Sequence, residues 1–169
     1  MKLSKLVNEI NAIIKSEKTE ELGWKYMGVN LIMKAESMDK ESDIEDAFKN
    51  YILENDCWES KEDHSKQYCT AIEKLDQYKI ENIKYWIDDL RILIGLSVMK
   101  HVVEDEKKVY RLIKIMQENK VKAYRLVDSK INNECYLCDY SYSEGFVGGH
   151  IRCYETDTER FIISFLFCD

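Results

Sequence analysis

The sharpest chemical pattern in this chain is Cys135-x2-Cys138-x11-His150-x2-Cys153. Three thiols and an imidazole arranged in two pairs are the ligand set of a tetrahedral structural zinc site. The residues around them point elsewhere. A zinc knuckle turns tightly after its first cysteine pair, whereas Cys135-Tyr136-Leu137-Cys138-Asp139-Tyr140 is a strand-forming run. In an extended strand, residues three apart face opposite sides, so neither Cys135 with Cys138 nor His150 with Cys153 shares one ion without a bulge. Free cysteine also behaves as a small buried hydrophobe. The expectation is therefore sheet-core cysteines with no metal and no cofactor. A zinc-stabilised or thiol-dependent small enzyme built on Cys135, Cys138, His150 and Cys153 is the alternative.

Other catalytic arrangements are weaker still. His64 and Cys69 fall on different faces of a helix, and Cys57, Cys69 and Cys168 lack metal-like spacing. Gly145-Phe146-Val147-Gly148-Gly149 lacks the order and the following helix of a phosphate- or dinucleotide-binding loop, and reads as part of a flexible connection over Ser143–Gly149. Adjacent carboxylates occur at Glu45-Asp46, Glu62-Asp63 and Asp88-Asp89. None has a second catalytic group in view, and Asp88-Asp89 reads as the wet edge of a mostly buried helix. The sequence thus favours a binding protein over an enzyme.

Charge gives the strongest functional lead. Between Glu36 and Asp63 there are eleven Asp/Glu against Lys40, Lys49 and Lys61, a net −8, while the whole chain carries −7. A dense acidic band speeds encounter with basic partners and repels nucleic-acid backbone. The residues expected to steer such a partner are Asp39, Glu41, Asp43, Asp46, Glu54, Asp56 and Glu59, with Trp58 as an aromatic anchor beside them. This describes an inhibitor- or immunity-type protein that caps a basic partner, such as an enzyme acting on nucleic acid. The plainer reading of the same band is an ordinary solvated helix face. Basic residues are scattered, without a stripe interleaved by aromatics, so nucleic acid is not an expected ligand.

These residues must be positioned by a chain of 169 residues with no proline and six glycines. Few breakers favour long helices and direct strand connections. Leu3, Leu6, Val7, Ile10, Ile13 and Ile14 are spaced for an amphipathic helix over 2–18. Ser42 and Glu45 match a capping box ahead of Ile44, Ala47, Phe48, Tyr51 and Ile52. Further helices are expected from Ser60, from Ile80 to Val98 as a central buried helix, and from Glu104 to Lys120. Residues 24–33 fit strand and helix alike. Beyond Val121 the period changes to two, through Tyr136–Tyr142, Ile151–Cys153 and Phe161–Phe167, which predicts antiparallel strands.

The expected fold is therefore α+β in a single domain, 1–169. A helical N-terminal two-thirds of about five helices (about 1–120) packs on a C-terminal antiparallel β-meander of three to four strands (about 121–169). Asn8, Glu9 and Asn11 interrupt any signal-like apolar core at the N-terminus, and the run at Ile92–Val98 is too short to span a bilayer. The expectation is a cytoplasmic protein with reduced thiols and no membrane partner. The oligomeric state is left open.

Overall fold

A computed structural model describes residues 4–14, 23–26, 29–55, 75–95, 103–130, 134, 136–139 and 147–168. In chain order these form α1 (Lys5–Ile14), β1 (Gly23–Tyr26), β2 (Val29–Met38), α2 (Ile44–Asn55), a 3-10 turn (Leu75–Gln77), β3 (Tyr78–Ile83), α3 (Trp86–Gly95), α4 (Val103–Glu118), β4 (Lys122–Asp128), β5 (Tyr136–Asp139), β6 (Val147–Glu155) and β7 (Arg160–Cys168). All seven strands join one antiparallel sheet in the order β1-β2-β7-β6-β4-β3, with β5 added on β6. Five of them, β2, β3, β4, β6 and β7, are six or more residues long.

The class is α+β, but the expected division into a front of about five helices and a C-terminal meander of three to four strands is wrong: the described residues form four α-helices and a sheet of seven strands. Strands β1, β2 and β3 arise in the first half of the chain, and β2 lies inside the sheet between β1 and β7. Residues 24–33 are strand except for the undescribed 27–28. The single helix expected over 80–98 is a strand, β3, then a turn at 84–85, then α3. Ile80, Ile83, Trp86, Ile87 and Leu90 satisfy a helical repeat across that strand–turn–helix, which is why the spacing misleads. Val147–Gly149, expected in a loop, is the first part of β6. The helix expected from Ser60 lies outside the described residues.

The sheet is covered on both sides. Its front face takes α1, α3 and α4, whose Ile10, Ile14, Leu90, Ile94, Leu112 and Met116 pack with Met33, Ala35, Phe161, Ile163 and Phe165. The back face takes α2, whose Phe48 and Ile52 pack with Tyr78, Leu126, Ile151, Cys153 and Ile162. Each such large apolar side chain contributes about 1.5–3 kcal/mol on burial. Ser4 caps α1, accepting the Val7 N–H at 3.1 Å. Asn11 then closes an open strand edge: its side-chain amide donates to the Ala35 carbonyl at 2.8 Å and accepts the Ala35 N–H at 2.9 Å. At the other helix end, Lys120 sits at φ 53°, with Val121 N–H on the Met116 carbonyl and Lys120 N–H on the Gln117 carbonyl. That is a Schellman stop, with a lysine where glycine is usual.

Candidate functional site

The acidic segment starts at the end of β2 and is fastened to the far end of the chain. Arg160, buried at the start of β7, donates from Nη1 to the carbonyls of Asp39 (2.7 Å) and Ser42 (2.9 Å), and from Nε to Glu155 (2.9 Å). Lys40 reaches the same Glu155 at 2.9 Å and the Thr156 carbonyl at 2.9 Å. Glu155 is held below the usual carboxylate range because these two cations outweigh the effect of its burial. The β6–β7 hairpin and the 39–42 connection are thus one polar knot. From there Asp43 caps α2, its Oδ1 accepting the N–H groups of Glu45 (2.9 Å) and Asp46 (3.1 Å). The expected capping box of Ser42 with Glu45 is displaced by one residue. Ser42 gives its carbonyl to Arg160 instead.

The band divides into acids held inside the fold and acids left to solvent. Glu36 lies between Lys34 (2.7 Å) and the Tyr51 hydroxyl, which donates to it at 2.5 Å; these partners lower its pKa against burial. Burial and this carboxylate push the Tyr51 phenol up. Glu45 accepts from Lys49 at 2.9 Å and from the Ile80 N–H at 3.1 Å, docking the first turn of α2 on β3. The Lys49 hydrogen bond is the main reason its pKa is lowered. Both lysines in the described part of the band, Lys40 and Lys49, are therefore tied to internal partners. Asp39, Glu41, Asp43, Asp46 and Glu54 are exposed. Asp39 accepts the Glu41 N–H at 2.9 Å in a local turn. Asp46, Asn50, Leu53 and Glu54 fall at i, i+4, i+7 and i+8 on the outer side of α2. Neither Asp46 nor Glu54 has a basic partner among the described residues. Asp56, Trp58 and Glu59 lie outside them.

A second polar group, on the front face, was invisible to spacing. The β6 edge is shared: β4 pairs with Cys153–Glu155 and β5 with Val147–His150, leaving Ile151 and Arg152 at the fork. Arg152 is 2% exposed and directs four of its five N–H groups to acceptors. Asp89 of α3 takes Nε at 2.8 Å and Nη2 at 3.1 Å, while Glu134 and the Ile151 carbonyl take Nη1. Glu134 bridges to Val127 of β4 and also meets His150 Nδ1 at 2.6 Å. Burial raises the Glu134 pKa, but His150 and Arg152 overcome it and hold the carboxyl at about 2. Asp89, expected as a wet helix edge, is thus the anchor of α3 on the sheet. Asp89 and His150 each stand out in the sequence, but nothing there joins them to Arg152 and Glu134, because the four come from separate parts of the chain.

The cysteine pattern separates. His150 and Arg152 share the front side of β6, whereas Cys153 is fully buried against α2 at the back. Burial pushes the Cys153 thiol up to about 12, a poor nucleophile at neutral pH. Cys138 pairs with Gly148 across β5 and β6, and Cys135 is outside the described residues. Among the described residues no three His, Cys, Asp or Glu side chains are placed to hold a metal ion. No helix among them is long and apolar enough to cross a membrane. Comparison with known protein families, characterised proteins and solved structures finds no match to this chain.

Proposed function

We propose that this chain is a small cytoplasmic binding protein of the inhibitor or immunity type. It docks the acidic face of its 39–54 segment on a basic surface of a partner protein, such as the substrate-binding surface of a nucleic-acid-processing enzyme. One observation carries this reading: Asp39, Glu41, Asp46 and Glu54 are exposed on a segment that Arg160 and Lys40 fasten to the sheet. A face already ordered in the free protein loses little conformational entropy on binding. These carboxylates, none of them ion-paired among the described residues, supply a field that raises the association rate with a cationic surface. The same field opposes phosphate, so neither nucleic acid nor an anionic membrane is a partner of this face. The resemblance to inhibitor proteins is one of physical strategy and not of fold.

The test is affinity capture from a cell lysate with wild type and with the Asp46→Lys/Glu54→Lys variant, quantified by mass spectrometry. A basic protein enriched by wild type, lost with the variant and lost at high salt supports the reading. Enrichment indifferent to both charge reversal and salt removes any recognition role for the acidic face.

A further inference from the structure

Helix α2 on the back of the sheet and α4 on the front carry charge of opposite sign that has no ion-pair partner among the described residues. On the back, Asp46 and Glu54 flank Asn50 and the 53% exposed Leu53. On the front, where basic residues read as scattered along the sequence, α4 gathers three of them in a short stripe: Lys107, Arg111 and Lys114 recur at i, i+4 and i+7, with the 66% exposed Tyr110 among them. None of these three cations has a carboxylate partner among the described residues, whereas Lys34, Lys49 and Arg125 each do. The charged spans also match: the eight steps from Asp46 to Glu54 rise about 12 Å and the seven from Lys107 to Lys114 about 10 Å. Each stripe has one apolar side chain standing in solvent beside its charges, which is the pairing of anchor and rim seen at interfaces.

We propose that, while no target is bound, the α2 stripe docks on the α4 stripe of a second copy of this chain; the inference rests on the docking role assigned to the acidic face and adds an occupant that a target displaces. Asp46 and Glu54 meet Lys107, Arg111 and Lys114, and Leu53 packs beside Tyr110. Because α2 and α4 lie on opposite faces of one sheet, the contact is heterologous. Two copies cannot satisfy both faces at once, so association runs head to tail and grows with concentration. A phosphate polymer is a poorer occupant of α4. It meets the three cations of this stripe on a chain whose net charge is −7, whereas a second copy brings matched acids on an ordered helix.

Sedimentation velocity over a concentration series, at about 0.15 M salt where like net charge is screened beyond roughly 8 Å, reads the outcome. Wild type is expected to show a weight-average mass that rises past the dimer. Asp46→Lys/Glu54→Lys brings the net charge from −7 to −3, which lowers overall repulsion, yet it is expected to be monomeric. Arg111→Glu/Lys114→Glu is expected to be monomeric as well. An equimolar mixture of the two variants, each face now opposite a complementary one, is expected to associate again. The neutral pair Asp46→Asn/Glu54→Gln, with the folded state checked by circular dichroism, gives the same answer without introduced charge. Wild type that stays monomeric, variants that associate as wild type does, or a mixture that fails to recover each overturn self-pairing. If wild type is monomeric but its acidic face still captures a basic protein from lysate, self-pairing fails alone. If lysate capture is also indifferent to Asp46→Lys/Glu54→Lys, the docking role fails with it.

Discussion

Arg160 holds the carbonyl oxygen of Asp39 at 2.7 Å across 121 residues of sequence. The same nitrogen takes the Ser42 carbonyl, so one guanidinium at the start of β7 sets the path by which the chain enters α2. Arg160→Lys keeps the charge but loses the fork, and an ammonium cannot serve both carbonyls and Glu155 in that geometry. The expected cost is about 1–3 kcal/mol in denaturant unfolding. Hydrogen exchange should quicken for the amides of 41–46 while those of the β6–β7 ladder keep their protection.

The Asp89–Arg152 pair joins α3 to the sheet, with Arg152 buried and Asp89 partly so. Removing Asp89 strips Arg152 of two of its four hydrogen bonds and leaves Glu134 as its one carboxylate among the described residues, so Asp89→Ala should cost about 1–3 kcal/mol. Arg152→Met should be similarly harmful, and the double variant should cost less than the two singles added. A double-mutant cycle by urea unfolding measures that coupling, expected to exceed about 1 kcal/mol.

Acid unfolding should carry the signature of Glu134. Its carboxyl is held at about 2 in the folded chain against an ordinary 4.5, so folding favours the ionised form. That contribution is complete above about pH 4.5 and is lost as the pH falls toward 2. Wild type should therefore lose stability over this window more steeply than Glu134→Gln, whose own stability is lower at pH 7. Urea midpoints for both proteins across that range provide the check, and parallel curves would contradict the role given to the His150 and Arg152 contacts.

Lys120 occupies a left-handed backbone position with an exposed side chain and a φ of 53°. Lys120→Gly relieves the Cβ strain at the end of α4 and should stabilise the fold by up to about 1 kcal/mol, seen as a higher thermal midpoint. Lys120→Val should have the opposite sign.

What sequence made legible follows the exposure of each element. Helices α1, α2 and α4 have one wet face, and their repeats at Leu6–Ile14, Ile44–Ile52 and Val109–Met116 are readable for that reason. β2 lies inside the sheet with a partner on each side over part of its length, and its run Val29–Met33 lacks the clean alternation of a half-buried strand. The β3–turn–α3 segment imitates a single helix because Ile80, Ile83, Trp86 and Leu90 keep the spacing through the turn. The acids of the band were legible as a group, but not their division. Glu36 and Glu45 turn inward because Tyr51, Lys49 and Ile80 meet them there, contacts that sequence spacing alone does not reveal. The Asp89–Arg152–Glu134–His150 cluster depends on the register of β4, β5 and β6, which no local pattern encodes.

The claim that the acidic face is a docking surface is tested most directly by a photo-crosslinking residue at Asn50, between Asp46 and Glu54, with Asn8 on the exposed side of α1 as the control. Irradiation in cells, followed by identification of the crosslinked peptides, should join position 50 to a basic segment, whether of another protein or of α4 in a second copy, while position 8 gives background alone. Asp46→Lys/Glu54→Lys in the same chain should abolish the product at position 50. Equal, diffuse crosslinking from both positions, or a product at 50 that survives the charge reversal, would contradict the account.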